Sequence, residues 1–168
     1  MKISIRPEAA GDAAAIEAVT LAAFRNAPHT NHTEQFIVAA LREAGVLTVS
    51  LVAVDGYAVI GHVAFSPVTV SDNAQGWFGL GPVSVLPDSQ GKRIGTQLIE
   101  HGLGLLRKRG ASGVVVLGDP RYYARFGFRA EPSLVLPDVP PLYFQALSFS
   151  GGLPSGTVAY HPAFGSTA

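Results

Sequence analysis

The chain contains no cysteine. That excludes disulfides, thiolate nucleophiles, zinc–cysteine sites and iron–sulfur clusters together, and leaves the redox compartment undetermined. An excess of charge of either sign is also missing. Lys and Arg number 12 against 12 for Asp and Glu, so no global field draws the chain to nucleic acid or to an anionic membrane. Any charge-driven recognition must be local. Long apolar runs are absent too. Hydrophobic residues make up 48% of the chain and mean hydropathy is +0.29. Yet the apolar stretches are of strand length, broken by Gly, Pro, Asp or His, and fall well short of the ~20 residues a membrane helix requires. Residues 1–8 alternate like a strand and lack the apolar core of a signal peptide, so a cytoplasmic protein is expected. A length of 168 residues suits one domain, 1–168, with a core that needs no staples.

What is there centres on the run Val83-Ser84-Val85-Leu86-Pro87-Asp88-Ser89-Gln90-Gly91-Lys92-Arg93-Ile94-Gly95-Thr96. A β-branched strand breaks at Pro87-Asp88-Ser89, turns glycine-rich and basic, and passes into an apolar helical stripe. The first amides of such a helix have no intrahelical acceptor, and its dipole adds partial positive charge there. Gly91 and Gly95 let a ligand approach the backbone closely. Gln90, Gly91, Lys92, Arg93, Ile94, Gly95 and Thr96 therefore read as an anion site suited to a pyrophosphate. Upstream, Gly79-Leu80-Gly81-Pro82 interrupts the strand over residues 77–86. A proline removes a ladder donor, so a bulge is expected, leaving backbone groups of Val83, Ser84 and Val85 free for a ligand.

The remaining pattern supplies a frame. Ile3 and Ile5 share one side of a short strand that Pro7 ends. Asp12 is expected to cap a helix running to Phe24, and Asn31 with Glu34 has capping-box spacing ahead of Ile37, Ala40, Leu41 and Ala44, with Gly45 as the stop. Asp55-Gly56 divides a hairpin over residues 47–67, in whose second strand His62 shares a face with Ile60, Ala64 and Ser66. Beyond the turn, Ile94, Leu98, Gly102 and Leu105 mark the helix face, flanked by Ile99 and Leu106. Gly102 and Gly104 imply close packing there. Residues 113–118 form a buried strand that should lie parallel to residues 77–86, because a helix joins the two. Asp119-Pro120 starts a further helix that Gly127 limits to about two turns. Strand-like pieces follow at residues 128–130, 143–149 and 157–160.

The Val-Ser-Val-Leu-Pro strand end, the Gln-Gly-Lys-Arg-Ile-Gly turn and Tyr123-Ala124-Arg125-Phe126-Gly127-Phe128 after a parallel strand together resemble the GNAT acyl-CoA-dependent N-acyltransferases. The likeness covers most of the chain in element order and is most specific over residues 77–128. It implies an α/β (α+β) fold with a mixed, mostly antiparallel central sheet, splayed at one parallel strand pair and flanked by about four helices. In the family the turn reads Gln/Arg-x-x-Gly-x-Gly/Ala and binds the pyrophosphate of acetyl-CoA, the cosubstrate, whose pantetheine lies in the splay. Gln90 and Gly95 match that pattern, while Arg93 stands at the first motif glycine. Tyr123 has the spacing of the family tyrosine that protonates the departing thiolate. Its neighbour Tyr122, roughly 100° round a helix, is expected to face elsewhere.

Glu34, His32 and His62 are titratable residues in segments that the family uses to wall the acceptor site, and each is a candidate base. A water chain would serve equally, and capping alone also accounts for Glu34. The reaction implied is direct attack by a primary amine, of a small molecule or a peptide, on acetyl-CoA, with the Val85 amide polarising the thioester oxygen. No metal, nucleic-acid or membrane partner is expected, and a homodimer is left open. The spacing His29-x-x-His32-x-Glu34 is weak metal geometry, since no capped helix underlies both histidines. The alternative to an enzyme is an acyl-CoA-binding sensor or interaction module with the same fold and no turnover.

Overall fold

In the computed structural model, which describes residues 2–28 and 30–168, the elements as far as residue 123 run in the order the pattern predicts. Met1 and His29 lie outside the described residues, and with His29 the His29–His32 spacing. The elements are β1 (Ile3–Pro7), α1 (Ala13–Phe24), α2 (Glu34–Glu43), β2 (Val49–Asp55), β3 (Ala58–Val70), β4 (Trp77–Val85), α3 (Ile94–Lys108), β5 (Gly113–Leu117), α4 (Pro120–Tyr123), β6 (Leu134–Val135), β7 (Phe144–Ser148) and β8 (Gly156–Tyr160). The strands form one sheet, with the path β1-β2-β3-β4-β5-β7; β8 pairs with β3, and β6 with β8. Pairing is antiparallel except at β4–β5 and at the two-residue β6–β8 contact. No helix among the described residues is long and apolar enough to cross a membrane.

Period-two alternation along β2 and β3 sends side chains to two covered faces. On one face Leu51, Val63 and Phe65 pack against Leu98, Ile99, Leu103 and Leu106 of α3. On the other, Val52 and Val54 pack against Ile16 of α1 and Val38 of α2. The far end of α3 is buried through Leu103 and Leu106, whereas Leu105, expected on that face, is only partly covered. The two helix glycines also divide. A Cβ at Gly102 would overlap the Phe65 ring, while Gly104 has nothing within 4 Å, so close packing holds at Gly102 alone.

Both predicted caps are corrected. Asp12 occupies the N-cap position of α1, but its carboxylate accepts from the Arg6 guanidinium (2.7 and 3.1 Å) and the Ala9 amide (2.7 Å), and makes no cap bond. A charge-assisted pair outcompetes a cap of about 1 kcal/mol. At α2 the cap residue is Thr33, not Asn31, because His32 takes a left-handed φ of +58° and the helix cannot begin before it. Residues 128–130 form no strand and contribute one bridge, Arg129 to Ala146. The short β6 had no periodic signal to reveal it.

A polar chain crosses the α1–α2 side of the sheet. Arg42 donates to both oxygens of Glu8 (2.8 and 2.9 Å), and Ser50 Oγ lies 2.6 Å from Glu8 and 2.8 Å from His62 Nε2. An ionised carboxylate only accepts, so Ser50 donates to Glu8 and accepts from His62 Nε2–H. The imidazole proton therefore sits on Nε2, and Nδ1 is buried without a partner. Burial lowers the His62 pKa from 6.5 to about 4. The Arg42 hydrogen bonds hold the Glu8 carboxyl below its ordinary value.

Two outcomes follow from this packing. Gly102→Ala is expected to destabilise the fold by about 2 kcal/mol through overlap with Phe65, whereas Gly104→Ala should stabilise it by up to about 1 kcal/mol, as read by urea unfolding. A protonated, buried His62 is disfavoured while the unfolded histidine protonates freely, so stability present above pH 6.5 is lost as pH falls towards about 4. The loss is about 3 kcal/mol, and His62→Gln should flatten the stability–pH curve across that window, with the Glu8 contribution remaining below it.

Candidate active site

The parallel pairing of β4 with β5 covers only Trp77 with Gly113, Phe78 with Val114, and Gly79 with Val115. Past Gly79 the two strands part. On the other edge of β4, Val63 pairs with Val83 and Phe65 with Leu80, so Gly81 and Pro82 together oppose Ala64. This is the bulge expected from Pro82. Beyond it the Leu86 amide donates to Ile60 O (2.9 Å), while Val85 O accepts from Gln90 Nε2 (3.1 Å). Successive residues of a strand turn their amides to opposite edges. Val83 and Val85 therefore present theirs to the opening, and Ser84 presents its own to β3.

One cavity, of about 360 Å³, lies at the turn end of the opening, lined by Val85, Gln90, Gly91, Arg93, Ile94, Gly95 and Thr96. Gln97 is the first residue of α3 whose amide reaches back, to Arg93 O at 3.0 Å. The amides of Ile94, Gly95 and Thr96 thus have no intrahelical acceptor. Arg93 adopts φ +64°, a left-handed conformation that glycine takes freely and other residues take at a cost. Arg93 is among the residues that line the cavity. Lys92 is exposed and stands outside the lining.

Two residues beyond the sequence expectation complete this wall. Tyr122 Oη lies 3.0 Å from Thr96 Oγ1, and the Arg125 guanidinium sits 4.2 Å over the Tyr122 ring, with Nε donating to Tyr122 O. The Tyr122 ring packs edge-on against Tyr123, with centroids 5.0 Å apart, but Tyr122 lines the turn cavity while Tyr123 lines the other one. Arg125, three residues on from Tyr122, was visible in that spacing as a same-face neighbour.

The second cavity, of about 440 Å³, lies at the bulge end and is lined by Val83, Pro82, Tyr123, Glu34 and Tyr160, among others. Asp119 starts α4 by accepting from the Arg121 amide (2.9 Å), and Gly127 at φ +99° ends the following turn. Gly118 leaves room for the Tyr123 ring, which packs edge-on to Phe128 at 5.9 Å. Burial pushes the Tyr123 phenol up to about 12, so it keeps its proton across the neutral range. Val83, rather than Val85, shares this cavity with Tyr123.

Glu34 opens α2; one oxygen accepts from Thr30 Oγ1, and Oε1 is buried without a partner. The Tyr160 hydroxyl is likewise buried and unpartnered. Tyr160 and Phe164 come from the chain's far end, and no local signal connected them to Glu34. Three residues named from sequence lie elsewhere. His62 is fully buried beneath the sheet, Ser84 faces it across the β3–β4 ladder, and His32 lines a separate hollow with Arg25.

The acetyltransferase (GNAT) family model matches residues 14–128. The uncharacterized N-acetyltransferase YhbS of Escherichia coli K12 is 42% identical over 125 residues, 74% of this chain and 72% of that protein. Among solved structures, a GNAT family acetyltransferase from Brucella melitensis in complex with acetyl-CoA is 51% identical, with a TM-score of 0.87 over 97% of this chain and 98% of that one. E. coli YhbS in complex with CoA is 35% identical, with a TM-score of 0.89 over 100% of this chain and 94% of that one.

The left-handed Arg93 makes a direct forecast. Arg93→Gly should raise stability, by up to about 1 kcal/mol, where Arg93→Ala gains nothing. Thermal unfolding of the two variants reads the difference, and equal midpoints would remove backbone strain from the account.

Proposed function

The chain belongs to the GNAT acetyltransferase family, and from that premise we propose that it is one acyl-CoA N-acyltransferase domain moving acetyl from acetyl-CoA to a primary amine by direct attack. The carrying observation is one opening in the sheet with an anion-binding turn at one end and Tyr123 at the other. The Brucella and E. coli relatives hold acetyl-CoA and CoA. In this reading the pyrophosphate rests on the amides of Ile94, Gly95 and Thr96, with Arg93 and Arg125 as counter-charges. Pantetheine runs along the free edge of β4, meeting the amide groups of Val85 and Val83. The thioester then lies in the bulge-end cavity.

There the Val83 amide is better placed than that of Val85 to polarise the thioester oxygen, because Val83 shares the cavity with Tyr123. The acceptor's ammonium first gives one proton to solvent; the neutral amine then attacks the carbonyl carbon, the new C–N bond forms and the C–S bond breaks. Sulfur takes the Tyr123 proton, and the proton released by the amine restores the phenol. The products are the amide and free CoA thiol. Tyr123 remains protonated at neutral pH, as an acid must.

Tyr123→Phe is expected to lower kcat by about 100-fold while leaving acetyl-CoA affinity unchanged. Tyr122→Phe, which loses the Thr96 contact, should instead weaken acetyl-CoA binding with kcat largely kept. Thiol release with the best amine of a panel, together with calorimetry of acetyl-CoA, separates the two. Equal kcat in wild type and Tyr123→Phe would sink the acid assignment. Acetyl-CoA binding with no thiol release from any amine would favour the sensor.

A further inference from the structure

We propose that the bulge-end cavity takes an amine whose ammonium is its only charge, carried on a compact apolar body, and that Glu34 holds that ammonium. This rests on the acetyl-transfer reading above and names the class of acceptor. The side-chain polar atoms of the cavity wall are oxygens alone, from Glu34, Tyr123 and Tyr160. Everything else that lines it is glycine or apolar, including Phe24, Ile37, Leu80, Leu136 and Phe164. Among the described residues, the side chains of the wall therefore carry one carboxylate, no cation and no carboxamide. Arg25, the residue after Phe24, opens onto a different hollow with His32.

Two of those oxygens lack a partner among the described residues: Glu34 Oε1 and the Tyr160 hydroxyl are buried and unbonded. An ammonium brings three N–H donors and no acceptor, the complement of an oxygen-only wall. An acceptor with a carboxylate or phosphate would bury that anion beside the Glu34 carboxylate, with the two phenol hydroxyls as its side-chain donors and no cation in the wall to balance it. A polyamine would have one charge held and the others against apolar side chains. The volume of about 440 Å³ suits a small molecule. These features together select a neutral-bodied monoamine, and an arylethyl group fits the aromatic and branched lining.

The test compares 2-phenylethylamine with phenylalanine, which adds only a carboxylate, and with spermidine, which adds ammonium groups. Thiol release should give 2-phenylethylamine a kcat/KM about 30-fold above either competitor. Glu34→Gln, which keeps the side-chain shape at Thr30, should raise the KM for 2-phenylethylamine about 10-fold or more, with kcat and acetyl-CoA affinity changed far less. Calorimetry of 2-phenylethylamine on the wild type and on Glu34→Gln reads the same loss without any transfer step. Equal or better use of phenylalanine or spermidine, a Glu34→Gln effect confined to kcat, or no binding of 2-phenylethylamine would each overturn the assignment. Failure to bind acetyl-CoA would instead overturn the acetyl-transfer reading, leaving the calorimetric comparison at Glu34 to decide this one.

Discussion

Pro82 has no amide proton to give a ladder, and its place in the middle of β4 is the constraint on which the site depends. The strand accommodates it by bulging Gly81 and Pro82 opposite a single residue of β3. Parallel pairing with β5 stops at Gly79, and the strand beyond it turns the amides of Val83 and Val85 to open space. A continuous sheet would have no room for a ligand there. In the proposed reading an extended chain with amide groups, the pantetheine arm, takes the place of the missing strand.

The opening is polarised along its length. Arg93, Arg125 and the unmet amides of α3 face the turn end, while Glu34 and two phenols face the other. A net charge of zero hides this separation completely. The consecutive tyrosines divide in the same way: Tyr122 bonds Thr96 at the turn, and Tyr123 reaches the bulge-end cavity beside Val83. Both orientations follow from the single tight turn of α4, started at Asp119 and ended at Gly127, which leaves little freedom between them.

Local chemistry was legible where it stands alone. The Asp55-Gly56 hairpin, the Asp119-Pro120 start, the Pro82 bulge and the close packing at Gly102 need only neighbours in sequence or a helical face. Caps were misjudged where a distant group competed. Arg6 takes the Asp12 carboxylate, and His32 in a left-handed conformation postpones α2 until after Thr33. His62 was a candidate base, with a satisfied, semi-buried strand histidine as the stronger reading; α1 and α2 cover its face and leave it buried in a chain with Ser50 and Glu8. Its depressed pKa is a consequence of that cover.

By itself the sequence determined the order of elements as far as α4, the interrupted strand, the glycine-rich turn into α3 and the tyrosine placed after the parallel strand. Each is set by backbone limits acting over a few residues: a missing proline donor, glycine's freedom, unpaired amides at a helix start. Only the tertiary structure decided which face each strand buries, that Arg93 occupies a glycine conformation, and that Tyr160 and Phe164 meet Glu34 around one cavity. Those outcomes depend on residues far apart in the chain competing for the same donors, acceptors and apolar surface, and no local pattern records who wins.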